Sequence, residues 1–220
     1  MDLSNTQILA AQLERVAQVE SSAITCQLKA SGSDKYQHGY QSMYHKIFAI
    51  HDQPKHIMEF GIKMGHSHEA WLNLFPEAMV YGLDVAKDPH FHSDSVHLNS
   101  SKARLLFDRR SDNKFDYRTS LKQLGTDDTD PNFQFDVIID DGDHNVGAQI
   151  GSFMIWRNKF KHVYVIEDIL REEYLWAIRR IVYGLGYVSH VESSSKVRED
   201  TQYILAIARK DSEFGNAHCK

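Results

Sequence analysis

The sequence is poor in cysteine. Only Cys26 and Cys219 occur in 220 residues, near opposite ends of the chain, and they form no CxxC pair. A disulfide framework or a zinc knuckle needs more cysteines at closer spacing, so neither is predicted, and a reducing compartment suits the chain. The length and the 42% hydrophobic content are sufficient for one domain with a proper core.

The sequence also lacks an excess of positive charge and a long apolar run. It has 25 basic and 30 acidic residues, a formal net charge of −5. General binders of nucleic acid or anionic membranes usually carry the opposite balance, so neither partner is expected. No window approaches the length of a membrane span, and the amino terminus has no basic region ahead of an apolar core. We therefore expect a cytoplasmic protein without a membrane span.

What the sequence does have is an alternation of short apolar runs with helical patterns after Pro54. Before it, Leu9, Leu13, Val16 and Ala23 recur at helical spacing, which predicts a helix that ends near Ser31 and Gly32. A second helix is predicted over Tyr40–Ile50. We expect residues 1–50 to form a helical segment that packs on a core of residues 51–220, all within a single globular domain.

Five strands are predicted in the core, followed by an antiparallel pair. The five are His56–Phe60, Met79–Val85, Ala103–Phe107, Phe133–Asp140 and His162–Asp168. Helices are predicted over Ser67–Leu74, Tyr117–Leu124, Val146–Lys159 and Arg171–Tyr183, and the antiparallel pair over Gly186–Glu192 and Gln202–Ala208. This order predicts an α/β fold with a Rossmann-like, mostly parallel sheet and helices on both faces.

The first predicted strand runs into a glycine turn and a helix in HIMEFGIKMGHSHEAW. Gly61 and Gly65 permit positive φ and close backbone approach, and the helix start offers free amide groups. Asp84 ends the next strand about twenty residues later, where an acid can bind ribose hydroxyls. A loop aspartate that caps the next element would look the same, but both features together favour a nucleoside-containing cofactor.

Acidic residues crowd the ends of two predicted strands in FDVIIDDGDHN and VYVIED. Asp140 and Asp141 end one strand and Glu167 and Asp168 the other, and neighbouring strands lie about 4.8 Å apart. Such crowding would raise the pKa of these carboxyl groups unless a cation neutralised them, and oxygen ligands suit Mg²⁺, Mn²⁺ or Ca²⁺. The alternative is helix capping by Asp143 and Asp168.

His144 follows Asp141 by three positions. A neutral imidazole there could take a proton from a substrate hydroxyl, since the ordinary histidine pKa is about 6.5. Without the surrounding acids, a solvated histidine at the start of a helix would be the better interpretation.

The ExGxxxG spacing of EFGIKMG resembles motif I of class I S-adenosylmethionine-dependent methyltransferases. IDDGDHN followed by YVIED, together with SDKYQHGYQSMYHKIF before the core, resembles the metal-dependent sugar O-methyltransferases related to macrocin and mycinamicin O-methyltransferases. The resemblance starts near Ser33. The sequence has Asp143 where the commoner DDGSH motif has serine.

The resemblance implies a site, residue by residue. The set that would bind S-adenosylmethionine is Glu59, Gly61, Gly65, Ser67, Asp84, Asp112 and Asp140, with Asp108 as the competitor of Asp112 near the adenine. Asp141, Glu167 and Asp168 would bind the divalent cation, Mg²⁺ or Mn²⁺, and His144 would be the general base.

The predicted function is methyl transfer from S-adenosylmethionine to a hydroxyl of a sugar or glycan, with a deoxyhexose such as rhamnose as the first candidate. A catechol-type O-methyltransferase and a non-catalytic nucleoside-binding module are the alternatives. Lys35, His38 and Tyr40 either face the ligands or pack as ordinary surface and core residues. Leu185, Tyr187 and the loop of residues 193–200 are predicted to border the acceptor cleft, and a homo-oligomeric state stays open.

Overall fold

The computed structural model describes residues 22–126, 130, 132–194 and 202–218. Its helices are α1 (Ala23–Ala30), α2 (Asp34–Gln37), α3 (Gln41–Ile50), α4 (His66–Leu74), α5 (Lys114–Gln123), α6 (Val146–Trp156), α7 (Glu172–Gly184) and α8 (Glu213–His218). Its strands are β1 (His56–Phe60), β2 (Met79–Leu83), β3 (Ala103–Leu106), β4 (Phe135–Asp140), β5 (Phe160–Ile169), β6 (Tyr187–Ser194) and β7 (Gln202–Arg209).

The seven strands form one sheet in the order β3-β2-β1-β4-β5-β7-β6. Strands β1 to β5 pair in parallel, and β7 is antiparallel to both β5 and β6. The predicted α/β fold, with a mostly parallel sheet and a final antiparallel pair, is confirmed. From β1 the strand order runs outward in one direction through β2 and β3, and from β4 it runs in the other direction. The crossover connections on either side of β1 and β4 therefore lie on opposite faces of the sheet, so a crevice opens at the carboxyl ends of these two strands.

Each face of the sheet is covered by its own set of helices. Strand residues alternate between the two faces, so that Ile57 and Val137 pack on one side and Met58 and Ile138 on the other. The first face packs against α1, α3, α4 and α8, and the second against α5, α6 and α7. All six residues of β4 are buried, which explains why its sequence is an almost continuous apolar run.

The amino-terminal helices are part of this core. Leu28, Tyr44 and Ile47 are fully buried in the same cluster as Trp71 of α4. Of the first predicted helix, Ala23 lies in α1, whereas Leu9, Leu13 and Val16 lie outside the described residues. The short helices α2 and α8 were not predicted, because four and six residues are too few to show a helical period.

At the amino ends of the strands, Asp136 anchors the start of β1. Its Oδ2 accepts hydrogen bonds from the backbone amides of Lys55 at 2.6 Å and His56 at 2.9 Å. The ring of His162 lies 3.6 Å from Asp136 Oδ1 and stacks on His51 with a centroid separation of 3.9 Å. Burial, His51 and Lys161 lower the pKa of His162 to about 4, against the smaller opposing effect of Asp136.

We expect this histidine pair to make the protein acid-sensitive. The pKa of His162 is lower in the folded chain than its ordinary value, so its contribution to stability is complete above pH ~6.5 and is lost as the pH falls toward 4. After allowance for its 27% exposed side chain, the loss at pH 5 is about 1 kcal/mol. Urea unfolding at pH 7 and pH 5 should show a smaller loss of unfolding free energy in His162→Gln than in the unmutated chain.

His90→Gln, on the exposed β2–β3 loop, is the control and should lose as much unfolding free energy as the unmutated chain. An equal loss in the two variants would refute the assignment to His162.

Candidate active site

The acidic strand ends meet at the carboxyl edge of the sheet, as predicted. In the register of the sheet, Phe60 of β1 pairs with Asp140 of β4, and Asp140 pairs with Ile166 of β5. Asp141 and Glu167, one residue further along each strand, are therefore neighbours.

A segment between α1 and the middle of α3, residues 33–44, covers these acids with hydrogen-bond donors. Ser33 caps α2 by accepting from the amide of Lys35, and Gly39 turns the chain at φ +78° into α3. Lys35, His38, Tyr40 and Tyr44 of this covering segment all contact carboxylates. The sequence left open whether Lys35, His38 and Tyr40 face the ligands or pack in the protein. Lys35 and Tyr40 are buried residues whose polar groups contact the carboxylates, whereas the side chain of His38 is partly exposed.

Lys35 is the centre of this contact. It is 1% exposed, and its Nζ lies 2.6 Å from Asp141 Oδ2, 2.9 Å from Glu167 Oε2 and 2.9 Å from Glu59 Oε1. Burial alone would lower the pKa of Lys35, but Asp141, Glu167 and Glu59 together raise it well above its ordinary value. The side chain is therefore a permanent buried cation among three acids.

Glu167 is enclosed by the covering segment. Its Oε2 accepts from Lys35, and its Oε1 accepts from the hydroxyl of Tyr44. The pKa of Glu167 is raised well above its ordinary value, with burial as the main cause. Both oxygens of this predicted metal ligand are thus engaged.

Asp141, His144 and Asp168 form the group that faces the open space beyond the strand ends. One ligand atom from each lies within 4.8 Å of the others. His144 Nε2 is 3.5 Å from Asp141 Oδ1 and 3.6 Å from Asp168 Oδ2, and the hydrogen bond to Asp141 is the main reason that the pKa of His144 is raised. Asp168 has φ +50°, a conformation that costs roughly 1–3 kcal/mol in a residue other than glycine and is typical of functional sites.

These three side chains line a cavity of about 770 Å³ beyond the strand ends, a size that suits a small-molecule ligand. Of the predicted site residues, Gly61, Asp84, Asp112, Asp141, His144 and Asp168 line it. Glu59, Gly65, Ser67, Asp140 and Glu167 are not among the lining residues. The cavity also receives the basic side chains Lys63, Lys87, Arg109 and Arg110, which the sequence did not single out.

Glu59 and Asp140 lie beneath the cavity rather than in it. Glu59 Oε2 accepts from Ser67 Oγ at 3.0 Å and from Trp71 Nε1 at 3.1 Å, which ties the start of α4 to β1. Asp140 Oδ2 accepts from the hydroxyl of Tyr164 at 3.0 Å, and burial raises the pKa of Asp140 to about 7. Both acids therefore act on the site through the groups that they hold.

The turn after β1 forms the other wall. Asp84 Oδ2 accepts from the amides of Ile62 at 2.7 Å and Lys63 at 2.8 Å, while Gly65, with φ +89°, begins α4. Gly61 has φ +87°, and a Cβ atom at this position would lie 2.0 Å from the backbone oxygen of Asp141. The glycine turn and the acidic end of β4 are thus in direct backbone contact. At the far end of the cavity, Arg110 binds Asp112 through two hydrogen bonds of 2.9 and 3.0 Å.

Two predicted features are corrected by the structure. Asn145, not Asp143, caps α6, because its side chain reaches the amide of Gly147, and Asp168 contacts Tyr40 and His38 rather than capping α7.

Tyr187 lines a separate shallow cavity of about 430 Å³ instead of the acceptor side of the site. It lies at the amino end of β6, which runs in the direction of β5, so Tyr187 and the preceding Leu185 are at the opposite edge of the sheet. Of the loop of residues 193–200, Ser193 and Ser194 are described and 195–200 are not.

No protein-family model matches the chain. Among curated proteins, it is 29% identical over 181 residues to the 8-demethyl-8-(2-methoxy-alpha-L-rhamnosyl)-tetracenomycin-C 3'-O-methyltransferase of Streptomyces olivaceus, covering 75% of this chain and 40% of that protein. It is 31% identical over 151 residues to the L-olivosyl-oleandolide 3-O-methyltransferase of Streptomyces antibioticus, covering 62% of this chain and 34% of that protein. The chain thus spans less than half the length of these relatives.

Solved structures give the same picture at lower identity. A methyltransferase from the mycinamycin biosynthetic pathway, in complex with Mg and SAH, superposes with a TM-score of 0.60 at 19% identity, covering 94% of this chain and 62% of that one. An O-methyltransferase from Bacillus cereus in complex with SAH gives a TM-score of 0.53 at 16% identity, covering 86% and 91%. The chain has the class I methyltransferase fold. The resemblance predicted from the motifs is confirmed, because its relatives are O-methyltransferases that include sugar-modifying ones.

In this class I methyltransferase fold, the contact between Gly61 and Asp141 predicts a large loss of stability for Gly61→Ala. Gly186→Ala is a matched control, because its φ of +85° is close to the +87° of Gly61 but nothing lies within 4 Å of its Cβ position. The control should lose about 1–2 kcal/mol of unfolding free energy through backbone strain alone, and Gly61→Ala at least about 3 kcal/mol. Urea unfolding measures both. Equal losses would show that the close approach does not constrain the site.

Proposed function

We propose that this chain is an O-methyltransferase that transfers the methyl group of S-adenosylmethionine to a hydroxyl of a sugar or glycan with the help of a divalent cation. The observation that carries the proposal is one shared cavity, with the glycine turn and Asp84 on one wall and Asp141, His144 and Asp168 on the other. The names of the curated relatives support a sugar acceptor, and Mg and SAH in the mycinamycin-pathway structure support the cofactors.

The cofactor would lie along the turn after β1. Gly61 gives the turn its positive φ and lets it lie against the backbone of Asp141, which shapes the wall on which the cofactor would lie. Asp84 Oδ1 accepts a 3.3 Å hydrogen bond from the amide of Ala86, and its remaining lone pairs can accept one from a ribose hydroxyl. Asp112, oriented by Arg110, would lie at the adenine end. Glu59, Gly65, Ser67 and Asp140 would act indirectly by fixing the turn, the start of α4 and the end of β4.

The cation would be held by Asp141 and Asp168, whose oxygens face the cavity and suit Mg²⁺ or Mn²⁺. Glu167 completes the predicted ligand set if it exchanges one of its contacts with Lys35 or Tyr44. When bound, a divalent cation lowers the pKa of a coordinated hydroxyl. The pKa values of Asp141 and Asp168 are lowered despite their burial, because Lys35 and His144 act on Asp141 and His38, Tyr40 and His144 act on Asp168, so both carboxylates are negatively charged and suit a dication.

His144 is proposed as the general base. Its imidazole is 39% exposed, lines the cavity and stands between the two acids that face the acceptor. Asp141 and Asp168 hold the ring at the site and stabilise the imidazolium that forms when it takes a proton. The sulfonium activates the methyl group already, so the remaining requirement is alignment of donor and acceptor oxygen.

A sugar suits this cavity better than a catechol. Its lining carries charged groups such as Asp34, Lys63, Asp88 and Arg109, which can bond to several hydroxyls. Phe60 is the only phenyl ring among the described lining residues, so the cavity offers few aromatic side chains that could stack on a flat aromatic acceptor.

The proposal is tested by transfer of a labelled methyl group from S-adenosylmethionine to a panel of deoxyhexosides and catechols. We expect methylated deoxyhexoside in the presence of Mg²⁺ or Mn²⁺, loss of the product with EDTA, and recovery on adding the cation back. Equal rates with and without EDTA would refute the cation, and methylation of catechols alone would refute the sugar acceptor.

Replacing the base should separate chemistry from binding. In His144→Ala we expect the transfer rate to fall by about 10²–10⁴-fold, the usual contribution of general-base catalysis, while SAH binding measured by calorimetry stays within about twofold. His92→Ala is the control, because His92 is exposed and is not among the cavity-lining residues. A His144→Ala rate similar to that of the control would remove the assignment.

A further inference from the structure

The covering segment binds one oxygen of some carboxylates of the site and both oxygens of another. It binds one oxygen of Asp141: Lys35 donates to Oδ2 at 2.6 Å, while Oδ1 lies 3.5 Å from His144 on the cavity side. The Asp141 carboxylate is therefore fixed in rotation, with one oxygen in the protein and one toward the ligand.

Asp168 is divided in the same way by different donors. Its Oδ1 accepts from the hydroxyl of Tyr40 at 2.5 Å and lies 3.2 Å from His38 Nδ1, while Oδ2 lies 3.6 Å from His144. The amide of Asp168 also donates to the Tyr40 hydroxyl at 3.2 Å. Tyr40 is fully buried, so this hydroxyl holds both the side chain and the strained backbone of Asp168.

Glu167 supplies the contrast. Lys35 and Tyr44 take one oxygen each, so that neither faces the Asp141, His144 and Asp168 group. The segment thus leaves one free oxygen on each of two acids and engages both oxygens of the third. Lys35 and Tyr40 do not line the cavity themselves, but they determine how many carboxylate oxygens face it.

We propose that Lys35 and Tyr40 are positioning residues that restrict Asp141 and Asp168 to monodentate ligation and so select a small divalent cation over Ca²⁺. Mg²⁺ and Mn²⁺ are satisfied by single carboxylate oxygens and water in octahedral geometry, whereas Ca²⁺ takes six to eight oxygens and favours bidentate carboxylates. This inference rests on the cation site of the proposed function, and it adds which groups determine the choice of metal.

The test measures cation binding to the full chain by calorimetry, with Mn²⁺ and Ca²⁺ in separate titrations. Tyr40→Phe keeps the ring in the core and frees Asp168 Oδ1. We expect the unmutated chain to prefer Mn²⁺, and the preference to fall about tenfold or more in Tyr40→Phe, since loss of a partner that orients a ligand weakens affinity by about 10–100-fold while Ca²⁺ gains an oxygen.

Tyr81→Phe is the matched control. It also removes a buried hydroxyl, which contacts His56 3.1 Å away at the opposite edge of the sheet, and it should leave the Mn²⁺ to Ca²⁺ preference unchanged. A general loss of stability would weaken both cations together and would not change their ratio. His38→Leu removes a less buried donor from Asp168 Oδ1 and should also lower the preference for Mn²⁺. This variant tests the selection role if Tyr40→Phe does not fold.

The outcomes separate this inference from the function on which it rests. An unchanged preference in the folded Tyr40→Phe variant, with tight Mn²⁺ binding by the unmutated chain, overturns the selection role and leaves the cation site standing. If the unmutated chain binds neither cation, the cation site and the selection role both fall, while S-adenosylmethionine binding is still measured independently.

Discussion

The site depends on one buried cation. Without the ammonium group of Lys35, the acids Glu59, Asp141 and Glu167 would be left in the protein interior with uncompensated charge, and breaking such a group typically costs about 3–5 kcal/mol. Three strand ends and the covering segment meet at this one atom. The segment is thus held to the sheet by the same charges that make the strand ends able to bind ligands, so folding and site assembly share one interaction.

Much of the fold could be predicted from the sequence. Apolar runs identify the strands locally, and their alternation with helices along the chain indicates a mostly parallel sheet. The run from Phe135 to Asp140 is buried on both faces, and its apolar composition shows this directly. The meeting of Asp141 and Asp168 followed from the rule that parallel strands share a carboxyl edge. The glycine turn and Asp84 line the cavity for the same reason, and the resemblance to sugar O-methyltransferases added the chemistry.

The parts that could not be predicted depend on the rotation of individual side chains. Sequence spacing places Glu167 beside Asp168, but not the fact that Lys35 and Tyr44 take both of its oxygens. It also cannot separate Asn145 from Asp143 as a helix cap, since both are strong capping residues two positions apart. Predicting at which end of the strands Tyr187 lies requires the direction of β6. That direction is known only once β7 is placed between β5 and β6.

The close approach of Gly61 to the carbonyl of Asp141 joins the two walls of the cavity at the backbone. In the proposed function, the methyl donor would lie against one wall and the acceptor against the other, so this backbone contact would help to set the distance between them. Leu170 and Gln202 also line the cavity, on segments of the chain that take no part in this contact. Under the proposed function, substitutions at such positions would change the shape of the acceptor pocket without altering the contact between the two walls.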